Sequence, residues 1–262
     1  STYLSQSIGG ATYLHEQYGR DENCISLPWD LDQAEKIINT LNGVCCLIVE
    51  SCSWHNGLHK QSEQWWIRLK DLCRANNIIF IIDDIAFSGA KTEHFFGYPI
   101  QPDIVCMGKA LSGGYYPLAG CLVSDELYNK IKDTPFLHGF SYSFNMSGIL
   151  SALHYLDVVR EERILETYQN THTMMDSYFT SLKGHEAVGD VRNYGLTWCL
   201  DLHSTKVKSN SELLRIFLEH GLYLGLWNSH TQLLISVPNT PDSEYVKQLK
   251  SRLSAALKYL YD

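Results

Sequence analysis

Two charged residues stand where a parallel α/β protein places its chemistry. Asp83 closes the apolar run Ile78-Ile79-Phe80-Ile81-Ile82, and Lys109 follows Asp103-Ile104-Val105-Cys106-Met107-Gly108. Such sheets bind ligands beyond the C-terminal ends of their strands, so each run delivers its charged group to the same rim. An amine there serves as nucleophile or base, and a carboxylate answers an opposing positive charge. Either residue alone has an ordinary explanation, since a strand-end Asp usually caps a turn and a Lys after Gly is usually solvated. Together they suggest a shared site. Other candidates are weaker. His55 and His59 are spaced as H-x-x-x-H, but Asn56-Gly57 lies between them and no Glu follows His55, so no metal site is expected. Trp65-Trp66 reads as packing. Tyr115-Tyr116 follows a glycine turn near Lys109, which keeps a substrate-lining role open.

The elements that must position this pair are legible around it. Leu31, Ala34, Ile37, Ile38 and Leu41 recur at helical spacing after Asp30, and Asn42-Gly43 ends the pattern. A short apolar run, Val44 to Val49, closes on Glu50. A second helix is predicted from about Gln61 to Ala75, followed by the run into Asp83. Unbroken β-branched runs between amphipathic helices imply an α/β fold with a mostly parallel sheet flanked by helices. Further strands are expected at Asp103–Met107 and Leu118–Val123. Beyond Asn145 the pattern predicts helices over Ser147–Val159 and Arg163–Leu182, then a smaller α+β region. That region would hold strands near Leu196–Leu202, Leu222–Leu226 and Leu233–Val237, a helix from Glu212 to His220, and a closing helix with Thr240 as its N-cap. The boundary falls near residue 160, giving domains 1–160 and 161–262.

Composition bounds the function. The 262 residues are 45% hydrophobic and 19% charged, an ordinary globular balance. A formal charge of −8, from 21 basic against 29 acidic residues, argues against nucleic-acid binding, which needs a basic face. No apolar run approaches the ~18 residues of a membrane span. Most of the eight cysteines lie in apolar or helical stretches, where reduced Cys behaves as a small hydrophobe, and no C-x-x-C pair occurs. A reducing, cytoplasmic compartment is expected.

The segment Gly108-Lys109-Ala110-Leu111-Ser112-Gly113-Gly114-Tyr115-Tyr116-Pro117 resembles the cofactor-lysine segment of class III aminotransferases of the ornithine and ω type. These belong to fold type I of the pyridoxal-phosphate enzymes. Ile81-Ile82-Asp83-Asp84-Ile85-Ala86-Phe87-Ser88-Gly89 is similar to that family's hydrophobic strand followed by D-E-V-Q-T-G, and the 26-residue separation of Asp83 and Lys109 fits. Gln101-Pro102-Asp103-Ile104-Val105 also fits, as does His138-Gly139-Phe140-Ser141-Tyr142-Ser143, like H-G-x-T-F/Y. Val188-Gly189-Asp190-Val191-Arg192 with Gly195-Leu196 resembles the opening of the C-terminal domain. The resemblance implies a pyridoxal 5'-phosphate enzyme moving an amino group between an amine or amino acid and a keto or aldehyde acceptor. By this likeness Lys109 holds the cofactor as a Schiff base and, once released, shuttles a proton. Asp83 pairs with the ring nitrogen so that the ring can absorb the carbanion's electrons. Ile85 packs on the ring face, and Ser141 stands at the Thr position that binds phosphate across a dimer interface. Other reactions on the same cofactor, such as those of an aminomutase, decarboxylase or epimerase, remain open.

The departures are informative. Ala86 stands where the family has a Gln near the ring hydroxyl. His55 and Ile235 stand where many ω-aminotransferases pair a Glu with an Arg, and losing both avoids a lone buried charge. Recognition of an α-carboxylate by that Arg is therefore not expected. The family's Gly-Ser phosphate loop and ring-stacking aromatic are not found, and Gly9-Gly10-Ala11-Thr12 is too short a substitute. The expectation is a fragment, or one half of a split enzyme, working as a homodimer or with a chain that carries the missing N-terminal half.

Overall fold

The computed structural model describes residues 23–41, 43–135, 139, 141, 143–203, 207–224 and 231–261. The chain divides into two compact units. The first takes in the residues up to Cys52, Lys60–Gly89 and Phe96–Asp157; the second takes in Ser53–His59, Ala90–Phe95 and the chain from Val158 onward.

In the first unit, helix α1 (Leu31–Thr40) starts at Asp30, whose carboxylate accepts from Gln33 N at 2.9 Å. This is an N-cap that satisfies one of the helix's orphan donors. Strand β1 (Cys46–Glu50), helix α2 (Glu63–Ala75, capped by Ser62) and strand β2 (Ile79–Asp83) follow. β1 and β2 pair in parallel, and β3 (Ile104–Met107) extends the sheet in the same sense. β4 (Gly120–Val123) closes the order β1-β2-β3-β4 in the antiparallel sense. Burial alternates along β2. Phe80 and Ile82 are buried and join Ile78 with Leu31 and Ile38 of α1 and Trp66, Leu69 and Leu72 of α2. Ile79, Ile81 and Asp83 face the other way, because side chains alternate across a strand. A 3₁₀ turn, Lys109–Ser112, follows β3, and a short helix α3 (Asp125–Ile131) follows β4. Helix α4 runs over Met146–Glu161.

The second unit contains helix α5 (Ile164–Ser181), the antiparallel strands β5 (Val188–Tyr194), β6 (Thr197–Leu202) and β7 (Gln232–Ser236), and helices α6 (Asn210–Glu219) and α7 (Ser243–Tyr261). Its core joins Met175 and Phe179 of α5, Trp198 and Leu200 of β6, Leu213 and Phe217 of α6, and Leu253 and Leu257 of α7. Trp198 stacks on Phe179 with ring centroids 4.7 Å apart, and its Nε1 donates to Asp176 at 3.1 Å.

Several expectations need correction. β5 and α3 are elements that the hydrophobic pattern did not reveal. β5 alternates too few apolar residues to read as a strand, and α3 buries none of its residues. Leu222–Leu224 are not a strand, and the rest of that predicted element lies outside the described residues. Asp242, not Thr240, caps α7, accepting from Tyr245 N at 2.7 Å. The carboxylate is the stronger acceptor and sits at the right offset. Cys45, Cys46 and Cys121 are exposed rather than packed as hydrophobes.

Candidate active site

Asp83 ends β2 and lies in register with Glu50 of β1 and Cys106 of β3. Its Oδ1 accepts from Ile85 N at 3.1 Å, which fixes the carboxylate over the turn that follows. Its Oδ2 makes no hydrogen bond among the described residues. Lys109 stands three residues beyond Cys106, exposed, at the head of the 3₁₀ turn. Its φ is +47°, in the left-handed region. For a residue with a Cβ this conformation costs about 1–3 kcal/mol, and such strain concentrates at functional sites. The structure therefore brings Asp83, Ile85 and Lys109 to one rim, at the C-terminal ends of adjacent parallel strands.

The Lys109 turn is held from several sides. Gly89 has φ +84°, and a Cβ there would meet the Ala110 Cβ at 2.8 Å, so the segment after β2 lies directly against the segment after β3. Tyr155 of α4 donates through its hydroxyl to Gly89 O at 2.7 Å, and its ring abuts Gly113, where an added Cβ would fall within 3.0 Å. Ser151 Oγ donates to Ser112 O at 3.0 Å, and Ser112 Oγ donates to Tyr116 O. These contacts offset the strained backbone. Tyr155 and Ser151 were invisible to motif reasoning because nothing local marks a helix residue as facing a distant loop.

Asp84 was also missed, although a signal for it existed. The two-residue period of β2 puts position 84 on the helix-covered face with Phe80 and Ile82, and it is fully buried. Its Oδ2 accepts from Gly97 N at 2.8 Å. Burial pushes its carboxyl up to about 6, with the charge of Asp83 adding to the effect. The Gly97 N–H and the nearby Ser51 hydroxyl, which falls short of a well-formed hydrogen bond, pull it the other way.

Ser141 lies exposed in a turn and makes no hydrogen bond among the described residues. His138, Phe140 and Tyr142 of the same motif lie outside them, as does the Gly9–Thr12 segment. Ala86 is partly buried beside Ile85. In the second unit, Ile235 is buried in β7 opposite Trp198, where a charged side chain would have no water. The motif Arg192 sits in β5 and donates to Asp201 through Nη1 and Nη2 at 2.5 and 2.7 Å, to Asp190 through Nη1 at 2.8 Å and to Gly57 O through Nε at 2.7 Å. It thus ties the 53–59 loop, which carries His55, to the three-stranded sheet.

Asp83 and Lys109 thus follow adjacent parallel strands of an α/β sheet, at the rim where such sheets bind ligands. The chain matches the class-III aminotransferase family model over residues 16–257 and belongs to that family, whose members depend on pyridoxal phosphate. It is 28% identical over 232 residues to the putrescine–pyruvate aminotransferase of Pseudomonas aeruginosa, covering 79% of this chain and 51% of that one. It is 28% identical over 188 residues to the (R)-1-hydroxy-2-aminoethylphosphonate ammonia-lyase of Vibrio splendidus, covering 69% and 39%. Among solved structures, the (S)-enantioselective omega-transaminase of Thermomicrobium roseum superposes with a TM-score of 0.77 at 25% identity, over 88% of this chain and 55% of that one. The chain spans 39% and 51% of the length of these two curated relatives. Among the described residues no helix is long and apolar enough to cross a membrane.

Proposed function

We propose that this chain carries the lysine-bearing half of a pyridoxal-phosphate aminotransferase. The reaction moves an amino group between an amine or amino acid and a keto or aldehyde acceptor. The observation that carries this reading is the placement of Asp83 and Lys109 at the ends of adjacent parallel strands, with Asp83 Oδ2 open and Lys109 held in a strained turn.

The residues fit the cofactor at its ring end. Lys109 supplies the amine that attaches it covalently, and after release the same amine carries a proton to or from the substrate carbon. Asp83, oriented by Ile85 N–H, holds a proton on the ring nitrogen. When bound, the cofactor supplies an electron sink for the substrate's carbanion. Ile85 offers an apolar face to the ring. Ser141 is assigned the phosphate by its motif alone. With residues 1–160 as the cofactor-binding domain and 161–262 as the small domain, the phosphate loop is supplied by another part of a longer polypeptide or by a partner chain. The working assembly is a homodimer or that complex, in the cytoplasm.

The test is an absorbance spectrum of the full-length protein with added cofactor, before and after borohydride, followed by mapping of the modified lysine. Label on Lys109 supports the reading; label elsewhere, or none, removes it. Given donor amine alone, an aminotransferase converts its cofactor stoichiometrically to the amino form. The ammonia-lyase relative favours elimination as a second reading. In that case ammonia is released catalytically without any acceptor.

A further inference from the structure

One row of side chains crosses the first sheet at the level of the site. The register pairs Glu50 with Asp83, Asp83 with Cys106, and Cys106 with Cys121. Register partners share a face, so both cysteines lie on Asp83's side of the sheet, one and two strands away. Cys106 O accepts from Asp84 N at 3.0 Å. Because a strand residue's N–H and C=O point to the same side, the Cys106 backbone faces β2 and turns away from β4. Cys106 and Cys121 are therefore a non-hydrogen-bonded antiparallel pair, in which Cα atoms approach to about 4.5 Å and side chains lie closest. That spacing is within the window a disulfide requires. The sulfurs lie 3.7 Å apart, and a disulfide needs them at about 2 Å.

Several of the other cysteines lack this arrangement. Cys73 and Cys199 are buried. Cys45 and Cys46 lie 3.8 Å apart at their sulfurs but are adjacent in sequence, so a bond between them would close a strained ring. Cys121 is exposed and Cys106 half-buried, which gives an oxidant access to one member of the pair.

We infer that Cys106 and Cys121 form a reversible disulfide modification site, set beside Asp83, through which oxidation weakens retention of the cofactor. The inferred effect on the cofactor rests on the function proposed above; the bond itself does not. The co-reactant is a low-molecular-weight disulfide such as oxidised glutathione. The Cys121 thiolate attacks one of its sulfurs, forming a mixed disulfide and expelling one thiolate. Cys106 then loses its proton and attacks the Cys121 sulfur, expelling the second thiolate. The two protein thiols are oxidised, the external disulfide is reduced to two thiols, and the two protons end on the released thiols. Cys121 is the exposed member of the pair and meets the oxidant first, so its sulfur attacks before that of Cys106. The bond also fixes the Cys106 side chain, the register neighbour of Asp83 on the same face of the sheet, in a new rotamer toward β4.

The experiment is done on the full-length protein in oxidised glutathione at pH 8, with non-reducing peptide mapping by mass spectrometry. Support is a Cys106–Cys121 peptide pair, loss of two free thiols, and recovery of both with dithiothreitol. A bridge to Cys24, Cys45 or Cys46, or separate glutathionylation of the two cysteines, overturns the proposal. In parallel, cofactor dissociation is measured for the oxidised and reduced forms. An oxidation-dependent weakening of about fivefold or more, absent in Cys121→Ser and in Cys106→Ser, supports the coupling. Equal affinities in a protein shown to be bridged overturn it. If the reduced protein binds no cofactor at Lys109, the functional reading fails while the mapping still decides the bond.

Discussion

Asp83 and Asp84 are neighbours in sequence with opposite surroundings, and their roles follow from that. Asp83 lies part-exposed on the opposite face of β2 from Phe80 and Ile82. Asp84 is sealed on the helix-covered face, where burial disfavours its charged form. The pH consequence has a definite sign. Asp84 binds its proton more tightly folded than unfolded, with the folded value at about 6 against 3.8. Its contribution to stability is thus full below the unfolded value and is lost as pH rises through about 6. The Asp84→Asn variant should lose this dependence, worth roughly 2–3 kcal/mol, in urea midpoints compared between pH 4 and 7. At the proposed catalytic pair, Lys109→Ala should abolish borohydride labelling. Asp83→Asn should retain the labelling but lower turnover on the order of a hundredfold. Equal turnover in Asp83→Asn would remove that residue from the chemistry.

At the scale of elements, the site depends on how the segment after β2 meets the segment after β3. Gly89 is the point of contact. Its positive φ and the 2.8 Å approach of Ala110 leave no room for a side chain. Gly89→Ala should cost about 2 kcal/mol or more and displace the Lys109 turn. Thermal melts and the rate of Lys109 acylation by an amine-reactive activated ester would both shift. Tyr155→Phe tests the same junction more gently. Losing its hydroxyl's bond to Gly89 O should cost about 1 kcal/mol. The runs that carried strands β1 to β3 were readable because β-branched residues bounded by charged ends have few other uses in a folded chain. β4 was readable as a strand but not in its direction, since an antiparallel edge and a parallel one leave the same apolar pattern. β5 was hidden because Asp190 and Arg192 interrupt its apolar pattern; Arg192 is accommodated by Asp190, Asp201 and Gly57 O, and Asp190 is part-exposed.

Over the molecule as a whole, each unit keeps its own core, and a part-buried cation, Arg192, braces the second. Arg192 connects β5 and β6 to the 53–59 loop, over 100 residues earlier in the chain. Arg192→Leu would leave the part-exposed Asp201 without its guanidinium partner, so the second unit should lose about 1.5–3 kcal/mol. Unfolding followed by Trp198 fluorescence would register this. A change under 1 kcal/mol would show that the cluster is a solvated surface pair instead.

The amino-acid sequence alone determined which residues could do chemistry here and which elements would carry them. Asp83, Ile85 and Lys109 follow apolar runs that can hardly be anything but buried strands, and buried strands end at a common rim. It could not determine which carboxylate of the Asp83-Asp84 pair is sealed, what holds Lys109 in its left-handed turn, or that Cys106 faces Cys121. Those depend on side chains distant in sequence being brought to contact distance, and local pattern carries no record of such pairings. Tertiary packing alone fixed them, because burial, strain relief and cross-strand register are properties of neighbours in space.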